Sequence, residues 1–202
     1  MPFVYDWLTK HQKTNIEEIV LETYDGKVVF QLQCNRRILS EICYERNGPS
    51  TLITFEQNEL LVPQQFLDVF LEDLKMVLMN QKAVLEYFRI SSEETGVSDA
   101  KYVLGIEDIL RTKTLALSIR EIRFDQITAS QGMSIIRYLD SDTLNCLVFS
   151  VPEPVNFRDF SNGLRNLEEG YKFDLHIGVK TIWEDDVMAI NEVRMLFFLH
   201  SH

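Results

Sequence analysis

One spacing of apolar residues recurs along the chain and restricts the folds open to it. An apolar residue is followed by two free positions, a second apolar residue, one free position and a third apolar residue. The sets are Leu85, Phe88 and Ile90; Leu144, Leu147 and Phe149; Val193, Leu196 and Phe198; and, with threonine in the first place, Thr114, Leu117 and Ile119. Short apolar runs bounded by polar residues indicate strands. Each set therefore predicts one strand.

Helical patterns separate these strands. The clearest unit has a strand at Thr114–Ile119, a helix through Met133–Leu139 with Thr128 or Ser130 as its N-cap, and a strand at Thr143–Ser150. Other elements are predicted in the same way: a strand at Leu85–Ile90, a polar loop at Ser91–Ala100, a short helix through Val103–Leu110, a helix around Phe157–Leu167, a strand at Tyr171–Ile177 with its register slipped by one, a helix at Trp183–Val193 and a strand at Met195–His200.

The period of these units is close to that of a known solenoid. The closing apolar positions are Ile90, Ile119, Phe149, Ile177 and Phe198. The spacing between successive positions approaches the roughly 20–29-residue period of leucine-rich repeats. Three residues further on, where such repeats place Asn or Cys, the chain has Glu93, Ile122, Pro152 and Lys180. The units are therefore only repeat-like, and ordinary βαβ units with parallel strands explain the pattern equally well.

The first part of the chain has a different pattern of predicted elements. Strands are predicted at Asn15–Glu22, Lys27–Gln33, Ile38–Glu45 and Thr51–Glu56, with turns at Asp25-Gly26 and at Asn47-Gly48-Pro49. These signals indicate an antiparallel meander. A long amphipathic helix follows from Pro63 to about Met79, and an apolar face built on Phe3, Val4, Trp7 and Leu8 predicts a lead-in helix before the meander.

The predicted fold class is α/β: an N-terminal antiparallel strand meander followed by leucine-rich-repeat-like stacked β-α units with a largely parallel sheet. The lead-in helix occupies residues 1–14. Residues 15–199 are predicted to form a single domain, with the meander at 15–56 and the repeat-like units at 63–199.

Charge and composition exclude several classes of partner. The chain has 20 Lys and Arg against 31 Asp and Glu, a formal net charge of −11, and no basic run offsets it. Such a surface repels phosphate backbones, so we expect no nucleic-acid partner. No apolar run approaches the about 20 residues that span a bilayer, so we expect no membrane partner.

The cysteines and the N-terminus indicate where the chain resides. Cys34, Cys43 and Cys146 form an odd set without CxxC spacing, which is typical of reduced thiols. Cys34 and Cys43 can face each other across a hairpin, but small buried thiols are the favoured interpretation. The first residues lack a signal-peptide pattern. We therefore expect a cytoplasmic or nuclear location.

No pattern of catalytic or cofactor-binding residues is present. His11, His176, His200 and His202 lack metal-ligand spacing apart from the terminal His-Ser-His, which is better explained as a frayed end than as a weak chelator. The acidic Trp183–Asp186 cluster suits either a basic partner or, as we favour, the N-terminus of a helix. Gly132–Ile136 lacks the second glycine of a nucleophile elbow. We predict no catalytic, cofactor or metal residues.

With these residues in view, the chain resembles the nematode FTH domain, a module found after an F-box in large worm protein families. The resemblance covers roughly Ile16 to Phe197. It rests on the meander NIEEIVLETYDGKVVFQLQ, the helix and strand FLDVFLEDLKMVLMNQKAVLEYFRI, and above all MSIIRYLDSDTLNCLVFS, with its helix, turn and strand. Asp140, Ser141 and Asp142 in that turn can bond their own backbone.

The resemblance implies a non-catalytic protein-interaction module that holds the target of a ubiquitin ligase. In such proteins the F-box recruits a cullin-based ligase through the Skp1 adaptor. The 14 or so residues before the first strand here are too few for an F-box and lack a Leu-Pro start. We therefore expect the Skp1–cullin ligase as a partner only where an F-box is supplied upstream, and the target protein and contact residues are unknown.

Two other interpretations remain open. The chain could be a small cytosolic enzyme whose site is assembled from Asp, Glu, Ser and Tyr side chains distant in sequence, since such sites form only in three dimensions. It could also be a degenerate paralogue that binds no partner. A deep pocket of converging carboxylates would favour the enzyme, and a shallow surface would favour the binding module.

Overall fold

A computed structural model gives the fold of the chain, and it describes residues 16–35, 37–93, 97–150, 160, 162–163 and 173–178. The strands are β1 Glu18–Tyr24, β2 Lys27–Cys34, β3 Arg37–Asn47, β4 Ser50–Phe55, β5 Asn58–Val62, β6 Leu85–Ser92, β7 Ile119–Asp125, β8 Cys146–Ser150 and β9 Asp174–Gly178. The helices are α1 Phe66–Asn80, α2 Val97–Thr112 and α3 Ala129–Ile136.

The strands form one mixed nine-stranded sheet in the order β5-β4-β3-β2-β1-β6-β7-β8-β9. Neighbouring strands from β5 to β1 are antiparallel. Those from β1 through β6, β7 and β8 to β9 are parallel. The predicted α/β class, with a meander followed by parallel β-α units, is therefore confirmed for the described residues.

Two tight turns give the meander its register. Asp25-Gly26 joins β1 to β2 where Tyr24 is paired with Lys27, and Gly26 has a φ of +71°. Gly48, with a φ of +60°, occupies the turn between β3 and β4. Positive φ costs little for glycine, which is why these positions favour it. Both predicted turns are confirmed.

All described helices cover the same face of the sheet. Phe70 of α1 packs edge-on against Phe30 and Tyr44, with ring centroids 6.0 and 5.7 Å apart. It also packs 5.9 Å from Tyr102 of α2. In α3, a Cβ at Gly132 would meet Phe149 of β8, so this helix lies directly on the parallel strands. We call this side the helix face.

The core lies between the helix face and the helices. Large side chains at alternate strand positions fill it, because successive strand residues point to opposite sides; the fully buried aromatic residues include Phe30, Tyr44, Phe70, Phe88, Phe124 and Phe149. A polar contact lies inside it: the Tyr44 hydroxyl donates to Asp73 Oδ2 at 2.7 Å. Burial, together with the Asp73 charge, raises the pKa of Tyr44 well above its usual value, so the phenol stays a donor.

The strand predicted at Thr114–Ile119 is wrong. The strand is Ile119–Asp125, and Ile90 of β6 pairs with Phe124 rather than with Ile119. Leu115 is 76% exposed, and Leu117, although buried, forms an isolated bridge with Leu139 instead of belonging to a strand. The buried set in the repeated spacing is Ile119, Ile122 and Phe124, and the closing positions are therefore less evenly spaced than predicted.

Other boundaries also differ from the prediction. The meander extends beyond residue 56 because β5 adds a fifth strand. The predicted polar loop Ser91–Ala100 contains the end of β6 and the start of α2, which has 16 residues rather than being short. Thr128 is the N-cap of α3 and forms a capping box with Gln131.

Of the remaining predicted elements, some are confirmed and the others lie outside the described residues. Strand β9 lies within the predicted Tyr171–Ile177 region apart from its last residue, and Phe160 and residues 162–163 are helical as predicted. The lead-in helix, the Trp183–Val193 helix and the Met195–His200 strand lie outside the described residues.

Two helical glycines make a matched test of the packing. The added methyl of Gly132→Ala would lie 2.6 Å from Phe149 Cζ and 3.1 Å from Phe124 Cδ2. These rings are fully buried and cannot move aside. We expect a loss of about 1–3 kcal/mol in the free energy of unfolding, measured by urea denaturation followed by circular dichroism.

Gly105→Ala is the control. The atoms nearest to its methyl would belong to the flexible, half-buried Leu71 side chain, and alanine favours a helix by about 1 kcal/mol over glycine. We expect a change within about 1 kcal/mol. Equal losses at the two positions would show that α3 does not rest on the aromatic rings as described.

Candidate functional site

The side of the sheet opposite the helix face, the open face, carries polar side chains at alternate strand positions. The parallel register brings Arg89 of β6 beside Arg123 of β7, between Val20 of β1 and Val148 of β8. None of the three described helices packs on this side. The open face is therefore a surface of the described chain on which polar groups from several strands meet.

Arg89 ties two neighbouring strands together on this face. Its Nη1 donates to Glu22 Oε1 of β1 at 2.7 Å, and its Nε donates to Asp125 Oδ2 of β7 at 2.6 Å. The Arg89 side chain is 33% exposed, whereas that of Asp125 is only 8% exposed. A cation on the central strand thus bridges two carboxylates on the strands at either side.

Arg123 extends the same network to β8. Its Nε donates to Asp125 Oδ1 at 2.8 Å, and its Nη2 donates to Ser150 Oγ at 3.3 Å. Both carboxylate oxygens of Asp125 therefore accept from arginine. We call Glu22, Arg89, Asp125, Arg123 and Ser150 the open-face network.

The position of the network follows from the strand sequences. Glu22, Arg89 and Arg123 each stand between apolar or small residues that point to the helix face, and Asp125 follows the buried Phe124, so alternation sends these charges outward. Strands β1, β6, β7 and β8 are parallel, so their carboxyl ends lie side by side. Charges near the end of each strand consequently gather in one row.

The network shifts the pKa values of Asp125 and Arg89. Burial by itself would raise the pKa of Asp125, but hydrogen bonds from Arg123, Arg89 and Ser150 outweigh it, and the pKa lies below the usual value. Burial would likewise lower the pKa of Arg89, and the hydrogen bond and charge of Asp125 raise it instead. Asp125 and Arg89 are therefore both charged at neutral pH.

Two tyrosines border the network. Tyr24 donates its hydroxyl to Glu22 Oε2 at 2.8 Å, and this hydrogen bond, with burial, raises the pKa of Tyr24. Tyr87 is half-buried on β6, two residues before Arg89, and burial raises its pKa. Both phenols are neutral at physiological pH and combine an aromatic surface with a polar end.

The network holds its polar groups in fixed hydrogen bonds. Asp125 is a weak base because its hydrogen bonds outweigh the effect of burial and lower its pKa, and Ser150 accepts a hydrogen bond from Arg123. Within the described part of the chain, no group of three or more His, Cys, Asp and Glu side chains could hold a metal ion.

The residues considered as candidates from sequence lie apart from this network or outside the description. His176 is exposed on β9. Met133, at the start of the predicted helix that precedes β8, is buried. His11, His200, His202 and the Trp183–Asp186 cluster lie outside the described residues.

The predicted Asp140–Asp142 turn is present. Asp140 Oδ1 accepts from the backbone N–H of Asp142 at 3.1 Å, and its carbonyl accepts from Thr143 N at 3.2 Å. Its Oδ2 accepts from Ser118 Oγ at 3.0 Å. The turn fixes the lead into β8, and it does not contribute to the open-face network.

The cysteines are free and half-buried, not the fully buried thiols that were favoured. Cys34 is paired with Arg37, and Cys43 with Val29 and Thr54. The two cysteines therefore do not face each other across the hairpin. Burial raises the pKa of Cys43, so its thiol is protonated at neutral pH.

Comparisons with protein-family models, with curated proteins and with solved structures found no match for this chain. In the described residues no helix is long and apolar enough to cross a membrane.

The central carboxylate of the network makes the first test. Asp125→Asn removes the charge between Arg89 and Arg123, and hydrogen bonds to charged groups contribute about 1.5–3 kcal/mol. Because the arginines are partly exposed, we expect a loss of about 1–2 kcal/mol in the free energy of unfolding, measured by denaturant titration at pH 7.

Asp108→Asn is the matched control, because Asp108 pairs with Arg111 at 2.7 Å but both side chains are over half exposed. We expect a loss below about 0.5 kcal/mol there. If both variants lost the same amount, the network would not differ from an ordinary surface ion pair.

The lowered pKa of Asp125 predicts a pH dependence. A depressed folded-state pKa gives stability that is present above the unfolded value, 3.8, and is lost as pH falls through the folded value. The difference in unfolding free energy between the wild-type chain and Asp125→Asn should therefore be constant from pH 7 to about pH 5 and shrink below the ordinary Asp range. A constant difference down to pH 2 would contradict it.

Proposed function

We propose that this chain is a non-catalytic protein-interaction module that binds a target protein on its open face. The observation that carries the proposal is that one face of the sheet lacks a described helix and holds a charged network with fixed geometry. Arg89 and Arg123 are 33% and 41% exposed, so they remain accessible to a partner.

A fixed network favours binding for a physical reason. Ordering a long side chain on association costs about 0.5–1.5 kcal/mol, and that cost falls where the side chain is already held. Arg89 and Arg123 are each held by two hydrogen bonds. Arginine and tyrosine are also the residue types enriched at interfaces and their hot spots.

We further propose that the parallel half is leucine-rich-repeat-like. Its helices lie on one side of parallel strands, and the apolar spacing recurs with all three members buried in Leu85, Phe88 and Ile90 and again in Leu144, Leu147 and Phe149. Doubly wound βαβ folds place helices on both faces. In solenoids of this kind the uncovered strand face is a common binding surface.

The resemblance to the FTH domain supports the same proposal and extends it to a pathway. As such a module the chain would hold a target for ubiquitin transfer in the cytoplasm or nucleus. Recruitment of the Skp1–cullin ligase belongs to this proposal only with an F-box supplied upstream.

The test places a photo-crosslinking amino acid at Tyr87 on the open face, with Lys75 on the exposed side of α1 as the control. Each purified chain is incubated with cell extract, irradiated, and its adducts are identified by mass spectrometry. We expect a reproducible protein adduct from position 87 and none of that protein from position 75.

Tyr87→Ala should then weaken binding of the crosslinked protein by about tenfold or more, since buried aromatic contacts at interfaces contribute over about 1 kcal/mol. Lys75→Ala should leave the affinity unchanged, and circular dichroism checks that both variants fold. Equal crosslinking at the two positions, or an affinity unaffected by Tyr87→Ala, would overturn the open face as the binding surface.

A further inference from the structure

Strand β5 lies at the edge of the sheet, far from the open-face network. It pairs with β4 on one side, and among the residues that the structure describes no strand pairs with its other side. An edge strand presents a row of backbone N–H and C=O groups that another strand can pair with.

The hairpin geometry identifies the outward groups. Phe55 pairs with Asn58 across a two-residue loop, and such a loop closes on a pair that exchanges hydrogen bonds. Hydrogen-bonded and non-hydrogen-bonded pairs alternate along an antiparallel ladder. The backbone N–H and C=O groups of Glu59 and Leu61 therefore point away from β4, toward solvent.

The side chains of β5 are unusually apolar for an exposed edge. Leu60 and Leu61 are 42% and 58% exposed, and they point to opposite faces because they are adjacent in a strand. Proteins commonly protect an edge with proline, lysine or a bulge. Asn58–Val62 has none of these, and Glu59 is its one charge.

A second copy of the chain fits this edge poorly. A stable dimer buries about 1,200–2,000 Å² in total, and a strand of 5 residues is too short to supply that area by itself. Two chains with a formal charge of −11 each also repel one another. The same charge attracts a basic partner, and the outward Glu59 is a local site for one cationic side chain.

We propose that β5 binds an extended segment of another protein, with apolar and basic residues in alternation, as an added strand of the sheet. Main-chain hydrogen bonds to Glu59 and Leu61 supply the pairing, the two leucines supply apolar contact, and the acidic surface selects basic residues. This site is separate from the open-face network and does not depend on the function proposed above.

The test uses a capped eight-residue peptide of alternating valine and lysine and the full chain labelled with ¹⁵N. Binding is followed by amide chemical shifts and by hydrogen exchange. We expect the shifts to centre on β5 and β4, and exchange at the Glu59 and Leu61 amides to slow by about tenfold or more at saturation, since added strands bury these groups. The same peptide with its four central residues N-methylated should not bind.

Two substitutions at one position separate pairing from charge. Glu59→Pro removes an outward N–H, which an edge position tolerates, and we expect it to weaken peptide binding by about tenfold or more. Glu59→Gln keeps the N–H and removes the charge, and we expect a smaller loss. Leu61→Lys, which adds a repelling charge and removes apolar contact, should also abolish binding and serves if the proline variant fails to fold.

Several results would overturn the proposal. These are undiminished binding of the N-methylated peptide, undiminished binding to Glu59→Pro, shifts centred on β6 and β7 instead of β5, or no binding at millimolar peptide. Light scattering of the peptide-free chain gives one more: a dimer that Leu61→Lys dissociates would assign the edge to a second copy.

Discussion

The structure depends on a sheet that carries its hydrophobic core on one face only. Because strand residues alternate in direction, a fixed register between neighbours carries the same choice of face from strand to strand. Phe30 lies beside Leu21, Leu21 beside Ile90, Ile90 beside Phe124 and Phe124 beside Phe149. A slip of one residue anywhere in this line would turn the buried side chains of that strand outward and its outward side chains into the core, so the core and the open-face network require the same register.

Sequence patterns predicted the elements whose signals are local. The Asp25-Gly26 turn needs a positive φ, the start of α3 needs an N-cap such as Thr128, and the α1 stripe needs only helical spacing, and all three are present. Strand β7 was missed because Ile119–Asp125 alternates with charged residues, whereas the nearby run around Leu115 and Leu117 is more apolar. Strand β5 was missed because its exposed residues give no burial pattern.

The candidate site could be predicted only in part. Charges at alternate positions in β6 and β7 indicate an outward polar face, and that much is readable from the strand sequences. The network itself joins Glu22, Arg89 and Asp125 from strands distant in sequence, and only the parallel pairing of β1 with β6 and β6 with β7 brings them together. No local spacing encodes which strand lies beside which, so the identity of the partners came from the fold.

Strand β1 belongs to both halves of the sheet, since it is antiparallel to β2 and parallel to β6. The hairpins from β1 to β5 connect residues close in sequence, so their loop closure costs little entropy. The pairing of β1 with β6 closes a much longer loop, and contacts of that kind slow folding. The meander can therefore form first and present β1 as the template on which the parallel strands assemble. If the chain were cut between β5 and β6, β1 and β6 would lose their pairing with each other, and each half of the sheet would gain a new unpaired edge strand.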